Sequence, residues 1–190
     1  TPKTKTVISI HNSLKTPSEK KNFAPVYQIV QRLHSRIMNK ADHIITVSQG
    51  IRTQILDLYR ISPSKVTAIY NPLDVKHIEK MSTQNAGHGW LDDVSLPVII
   101  GVGRLTELRN FDLLMRGFSQ VKEEVPSRLV ILGEGEDREL LERRVQELQL
   151  SDHVLMPGFV DNPFAWIQNS AVFVMSSSSE GLPGALLEAL

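Results

Sequence analysis

No cysteine occurs in the 190 residues. Disulfides and thiolate metal sites are therefore excluded, and the absence fits a reducing compartment. No apolar run is long enough to span a bilayer. Thr1-Pro2-Lys3-Thr4-Lys5 is not followed by the apolar core of a secretion signal, so none is expected. No Asp-x-Asp pair is present to hold a divalent ion beside a diphosphate, and His77, His88 and His153 show no metal-ligand spacing. No metal is expected.

Net charge is also absent, since 21 Lys and Arg balance 21 Asp and Glu. The balance hides an asymmetry. Residues 1–80 carry 13 basic and 5 acidic side chains, a net of +8, and residues 81–190 carry 8 and 16, a net of −8. Two units in different surroundings would give this split, and so would a compositional accident between two lobes. A basic first unit could face an anionic membrane surface or an anionic acceptor. Nucleic acid is not expected as a partner, because the basic residues are scattered and lack interleaved aromatics.

Strand and helix patterns alternate along the chain. Residues 6–10 read as a buried strand ending at His11-Asn12, followed by a polar loop rich in Lys, Pro and Ser. From Pro25, the apolar residues Val26, Ile29, Val30, Leu33 and Ile37 recur at helical spacing. A strand over 42–48, a helix over 50–60 with Ile51, Ile55 and Leu58 inward, and a strand over 66–70 follow. Asn71-Pro72 is a turn signal, and 82–89 reads as an exposed loop. The alternation then resumes: strands over 98–102, 128–132, 154–156 and 172–175, with helices near 110–124, 137–148 and 162–168. A last helix is expected from about Gly184. This order implies α/β architecture with parallel sheets. The expected domains are 1–74 and 97–190, joined by a linker over 75–96. A final Glu-Ala-Leu with no helix stop signal suggests a fragment.

The candidate chemistry lies at strand ends, where open α/β sheets bind ligands. Gly101-Val102-Gly103-Arg104 follows one strand, and Arg109 precedes the next helix. Two guanidiniums there could hold a pyrophosphate by forked hydrogen bonds, or could be ordinary surface arginines. The third glycine of a dinucleotide fingerprint is missing, as is the Gly-Lys-Ser/Thr of a P-loop. Gly133-Glu134-Gly135-Glu136 reads chiefly as a structural turn. Phe159, after Pro157-Gly158, could lie beside a base or fill the core. His11 could point into a cleft or be structural, and His43 reads as scaffold. Glu180 and Glu188 stand eight positions apart around Gly181-Leu182-Pro183-Gly184. Ionised carboxylates accept hydrogen bonds from sugar hydroxyls, and a helix N-terminus attracts phosphate. A helix cap with two solvated glutamates would give the same spacing.

The order of these motifs resembles the retaining glycosyltransferases of family four, also called glycosyl transferases group 1. Gly103-Arg104-Leu105, Gly133-Glu134-Gly135, Pro157-Gly158-Phe159 and Glu180-Gly181-Leu182-Pro183 carry the likeness. Ile8 to Asn12, Ala41 to Ser48 and Ile69 to Pro72 extend it upstream. The resemblance implies a GT-B fold: two Rossmann-like parallel-sheet domains, both incomplete in this chain, with substrates in the cleft between them. It implies transfer of a hexose or N-acetylhexosamine from a nucleotide-diphosphate sugar, with retention, to a glycan or lipid-linked acceptor. A sugar-nucleotide binding module without transfer, or a GT-B epimerase or phosphorylase, is the alternative.

By the same resemblance, Arg104, Arg109, Glu180 and His11 are the catalytic candidates. Gly103, Gly133, Phe159, Val160, Gly181, Leu182, Pro183, Gly184 and Glu188 join Arg104, Arg109 and Glu180 as donor-binding candidates. Arg109 stands where the family usually has Lys, so a planar fork replaces a compact ammonium. The nucleotide sugar is a substrate, no cofactor is expected, and the implied location is cytoplasmic, at the inner face of a membrane.

Overall fold

The computed structural model describes residues 4–13 and 24–190. The expected polar loop over 14–23 lies outside the described residues. The chain divides into two compact units: Thr1–Pro72 with Ser179–Leu182, and Leu73–Ser178 with Pro183–Leu190.

In the first unit, β1 (Val7–Ile10), β2 (His43–Thr46) and β3 (Val66–Ala68) form a parallel sheet in the order β1-β2-β3. Helices α1 (Ala24–Lys40) and α2 (Gln49–Tyr59) connect them, and a 3-10 turn over Pro63–Lys65 precedes β3. Local chemistry sets the limits of α2. Ser48 accepts a hydrogen bond from the Ile51 N–H at 3.2 Å, satisfying a donor left open in the first turn. Arg60 ends the helix in the left-handed region, at φ 50°, with its N–H on the Leu56 carbonyl. The buried stripe is Ile51, Ile55 and Tyr59, at four-residue spacing. Leu58, expected inward, sits half-buried at the margin of the same core, because Tyr59 continues the stripe more directly.

The second unit contains α3 (Val75–Ser82), α4 (Gly89–Asp92), β4 (Val98–Val102), α5 (Phe111–Glu124), β5 (Arg128–Leu132), α6 (Arg138–Glu147), β6 (Val154–Gly158), α7 (Pro163–Gln168), β7 (Val172–Phe173) and α8 (Gly184–Glu188). Its sheet is parallel throughout, in the order β6-β5-β4-β7. Side chains alternate across a strand, so β5 serves two cores. Leu129 and Ile131 pack with Phe111, Met115, Phe118 and Leu141. Val130 and Leu132 pack with Leu91, Ile100 and Trp166. These four apolar residues of β5 are at most 1% exposed, as a parallel strand covered on both faces requires.

Residues 75–96, expected as a linker, instead belong to the second unit. Leu91 is buried beside Val98 and Trp166, and the Asn162 amide donates to the Met81 carbonyl at 3.0 Å. The polar run 82–89 is only the loop between α3 and α4, and the apolar residues on either side fold onto the sheet. Ser179–Leu182, expected with the second domain, groups with the first unit. The Leu182 side chain packs against the core that holds Ile44 and Ile51.

Asp93 closes α4 against β5 through an ion pair with Arg128 at 2.9 Å, and the Arg128 guanidinium lies 5.2 Å from the Trp90 ring. Hydrogen bonds from the Ser95 hydroxyl and N–H, with Arg128 adding to them, hold the Asp93 carboxyl below its ordinary value of 3.8. A depressed carboxylate contributes stability above its unfolded pKa and loses it as pH falls through the folded value. Asp93→Asn is therefore expected to be less stable than the parent at neutral pH and to approach it in acid, as pH falls through the lowered folded-state value. Urea unfolding at neutral and acid pH measures this, and a difference that persists in acid would assign the effect to something other than charge.

Candidate functional site

The strand order places a reversal at β4. From β4 the chain moves outward through β5 to β6, then returns so that β7 pairs with the other edge of β4. Ligands in open α/β sheets bind outside the carboxyl ends of the strands at such a switch point. The carboxyl end of β4 is Gly103-Arg104, and β7 is followed by the serine run Ser176–Ser179.

A cavity of about 360 Å³ opens there, within the second unit. Gly103 and Arg104 line it after β4, Gly133 and Glu134 after β5, and Phe159 and Val160 after β6. Val102, Leu132 and Pro163 complete walls that are largely apolar. Five of the expected donor-binding residues, Gly103, Arg104, Gly133, Phe159 and Val160, thus meet around one space. Phe159 is 75% exposed, which rules out the core-filling alternative. Arg104 is exposed and forms no ion pair among the described residues.

Close backbone approach explains the glycine turns. Gly133 has φ +134°, and a Cβ on it would run into the Gly103 carbonyl oxygen. A Cβ on Gly135 would likewise strike the Leu105 carbonyl. Backbone hydrogen bonds sew these strand ends together: Gly103 N–H to the Leu132 carbonyl at 3.0 Å, Gly133 N–H to the Gly158 carbonyl at 2.9 Å, and Leu105 N–H to the Glu134 carbonyl at 2.9 Å. Glycine at 103 and 133 thus leaves bare backbone among the lining residues, which gives room for a ligand to approach closely.

Arg109 sits beside Gly103, with its Nε 3.7 Å from the position a Gly103 Cβ would take. Its Nη1 reaches the Ser177 hydroxyl at 3.5 Å. The Ser176 hydroxyl donates to the Arg109 carbonyl at 2.9 Å, and the Ser178 N–H and hydroxyl both donate to the Leu108 carbonyl. The serine run thus ties the loop carrying Arg109 to the end of β7. This role was not read from the sequence. The available signal was a block of hydroxyls placed directly after a strand. Glu134 and Pro163 were also missed as lining residues.

The other expected site residues lie elsewhere. Glu188 lines a second cavity of about 430 Å³, with Val75 and Ile78 of α3 and Phe164 and Ile167 of α7. It does not line the cavity holding Phe159, because α8 packs beside those helices. Pro183 and Gly184 start α8, which has only five residues, so few peptide dipoles add at its N-terminus. Glu180, Gly181, Leu182 and His11 fall in the first unit. His11 is exposed, with its Nε2 2.9 Å from the Ser9 hydroxyl. A Cβ on Gly181 would strike the His11 carbonyl, so this glycine permits chain packing.

Two parallel-sheet units, with an open cavity at the strand ends of the second, define a GT-B fold. The family model for glycosyl transferases group 1 matches residues 90–190, and that for glycosyltransferase family 4 matches residues 1–77. The chain belongs to the glycosyl transferases group 1 family. It is 34% identical, over 99% of its length and 49% of the relative's, to the N-acetylgalactosamine-N,N'-diacetylbacillosaminyl-diphospho-undecaprenol 4-alpha-N-acetylgalactosaminyltransferase of Campylobacter jejuni. It is 24% identical to the lipopolysaccharide 1,6-galactosyltransferase of Escherichia coli, covering 87% of this chain and 45% of that protein. The crystal structure of Anabaena HepE in complex with UDP-glucose superposes with a TM-score of 0.72 at 19% identity, over 96% of this chain and 50% of that one. The chain spans about half the length of the curated relatives it matches.

Proposed function

We infer that this chain is the donor-binding part, with an adjoining segment, of a retaining glycosyltransferase. It moves a hexose or N-acetylhexosamine from a nucleotide-diphosphate sugar to a glycan or lipid-linked acceptor. The observation that carries this reading is the largely apolar cavity at the switch point, with Arg104 on its wall and Arg109 beside it. An apolar slot beside an exposed aromatic suits a flat base. Cations at the adjoining strand end suit a diphosphate.

As the bond from sugar to phosphate breaks, negative charge grows on the leaving diphosphate. Preorganised guanidiniums stabilise that charge at no reorganisation cost. The Ser177 contact and the serine tethers hold Arg109 in place for this task. The roles implied for Glu180, accepting hydrogen bonds from sugar hydroxyls, and for His11, near the reacting centre, belong to the same proposal. The Campylobacter relative's name includes a diphospho-undecaprenol unit, which favours a lipid-linked acceptor. Such an acceptor would bring the protein to the cytoplasmic face of a membrane, where the +8 of residues 1–80 meets anionic headgroups. Among the described residues, no helix is long and apolar enough to cross that membrane.

The whole protein, supplied with a panel of nucleotide sugars and lipid-linked glycans, is expected to release a nucleoside diphosphate and extend the acceptor. The rate is expected to survive a chelator, since the arginines meet the diphosphate charge. Binding without release would mark a binding module, and a rate abolished by the chelator and restored by a divalent ion would overturn the arginine mechanism.

A further inference from the structure

Arg138 is not among the residues lining the cavity, yet its guanidinium joins three segments around it. Nη1 donates to Oε1 of Glu134 at 2.7 Å, Nη2 donates to the Met156 carbonyl at 3.0 Å, and Nε meets Oε1 of Glu142 at 2.9 Å. Glu134 is on the cavity wall after β5, and Met156 is on β6, three residues before Phe159. Glu142 shares α6 with Arg138 and fixes the guanidinium from the helix side. A rigid planar guanidinium sets its donors in fixed directions and so holds these three partners in one geometry, which the rotatable ammonium of a lysine does not fix.

The link is placed where the sheet itself is weak. The β5–β6 pairing shifts register between Val130 and Leu132, and Pro157 has no N–H to give to a ladder. Gly158 has φ +91°, and a Cβ there would stand 2.5 Å from Oε1 of Glu134. The carboxylate therefore lies directly over the backbone that leads into Phe159 and Val160. The side chains of Arg138 and Glu134 are 31% and 52% exposed, so the pair by itself adds little stability. What it supplies is geometry, for both edges of the cavity together.

We propose that Arg138 is a positioning residue for donor recognition: through Glu134 and the Met156 carbonyl it holds the nucleoside-facing wall of the cavity in binding geometry. This rests on the reading of that cavity as a nucleotide site. It assigns the wall's shape to α6, and the diphosphate grip to Arg104 and Arg109.

Calorimetry on the whole protein tests the division. Wild type is titrated with UDP, GDP, ADP and dTDP to find the nucleotide it binds, and with inorganic pyrophosphate as the base-free probe. In Arg138→Met, the dissociation constant for that nucleoside diphosphate is expected to rise about tenfold while that for pyrophosphate stays put. The donor KM rises with kcat changed less than about twofold, the pattern of lost uniform binding. Arg138→Lys recovers part of the loss, and Glu134→Gln, which keeps the shape and removes the charge, moves the same way. Nucleotide affinity equal to wild type in Arg138→Met overturns the proposal. So does an equal loss of nucleotide and pyrophosphate affinity with a lowered Tm, which marks a purely structural role. Wild type that binds none of the nucleotides overturns the nucleotide-site reading itself, a separate result.

Discussion

Arg104→Ala in the whole protein lowers kcat/KM for sugar transfer at least ~100-fold, the scale of losing one preorganised charge-stabilising donor. Most of the loss falls on kcat, because the diphosphate carries more charge in the transition state than in the bound donor. The side chain is exposed and without an ion pair among the described residues, so its removal leaves Tm within about 1 °C. Arg104→Lys restores only part of the rate, since a point charge replaces a fork that can hold two oxygens. The assay follows release of the nucleoside diphosphate under saturating acceptor. A variant turning over near the parent rate would remove Arg104 from the mechanism and leave the cavity without its clearest cation.

The second large effect is on stability. Gly133→Ala places a Cβ against the Gly103 carbonyl, at φ +134°, where an L residue is already strained. Neither backbone segment can retreat. The Gly103 N–H is bound to Leu132, the Gly133 N–H to Gly158, and the Leu105 N–H to the Glu134 carbonyl. Strain of about 1–3 kcal/mol and the clash together should cost about 3 kcal/mol or more. At about 2–4 °C per kcal/mol, the transition of this domain falls by roughly 10 °C. Gly117→Ala is the control. Gly117 lies inside α5 with open space where its Cβ would go, so alanine there should be neutral or stabilise by about 0.5–1 kcal/mol. Scanning calorimetry of both variants decides it, and equal behaviour would mean the strand ends are softer than their hydrogen bonds indicate.

Much of the second unit was legible before any coordinates. Phe111, Leu114, Met115 and Phe118 recur at helical spacing, and they form the buried face of α5. The strand expected over 128–132 is present as β5, and its unbroken apolar run Leu129 to Leu132 is buried on both faces. The glycine turns at 103 and 133 were legible as strand-end features because glycine has a local meaning that survives without knowledge of neighbours. The segment 75–96 was misread for the opposite reason. Its loop composition is local, but what Leu91 packs against depends on β4 and α7, which lie far along the chain. Leu182 shows the same limit: nothing in Glu180-Gly181-Leu182-Pro183 indicates that its side chain joins a core formed by residues more than a hundred positions earlier.

The sequence by itself determined the elements outside 75–96, the α/β class, the family likeness and the identity of the cationic and glycine residues, since each rests on periodicity, residue chemistry or motif order. Only the tertiary structure decided that β7 returns beside β4, that five motif residues share one cavity while Glu188 lines another, and that the serines hold Arg109. The physical reason is range. Backbone preference and side-chain periodicity act over a few residues and can be read along the chain. Strand order and the pairing of distant loops are chosen by burial and hydrogen bonding over the whole unit, where many arrangements of the same elements compete.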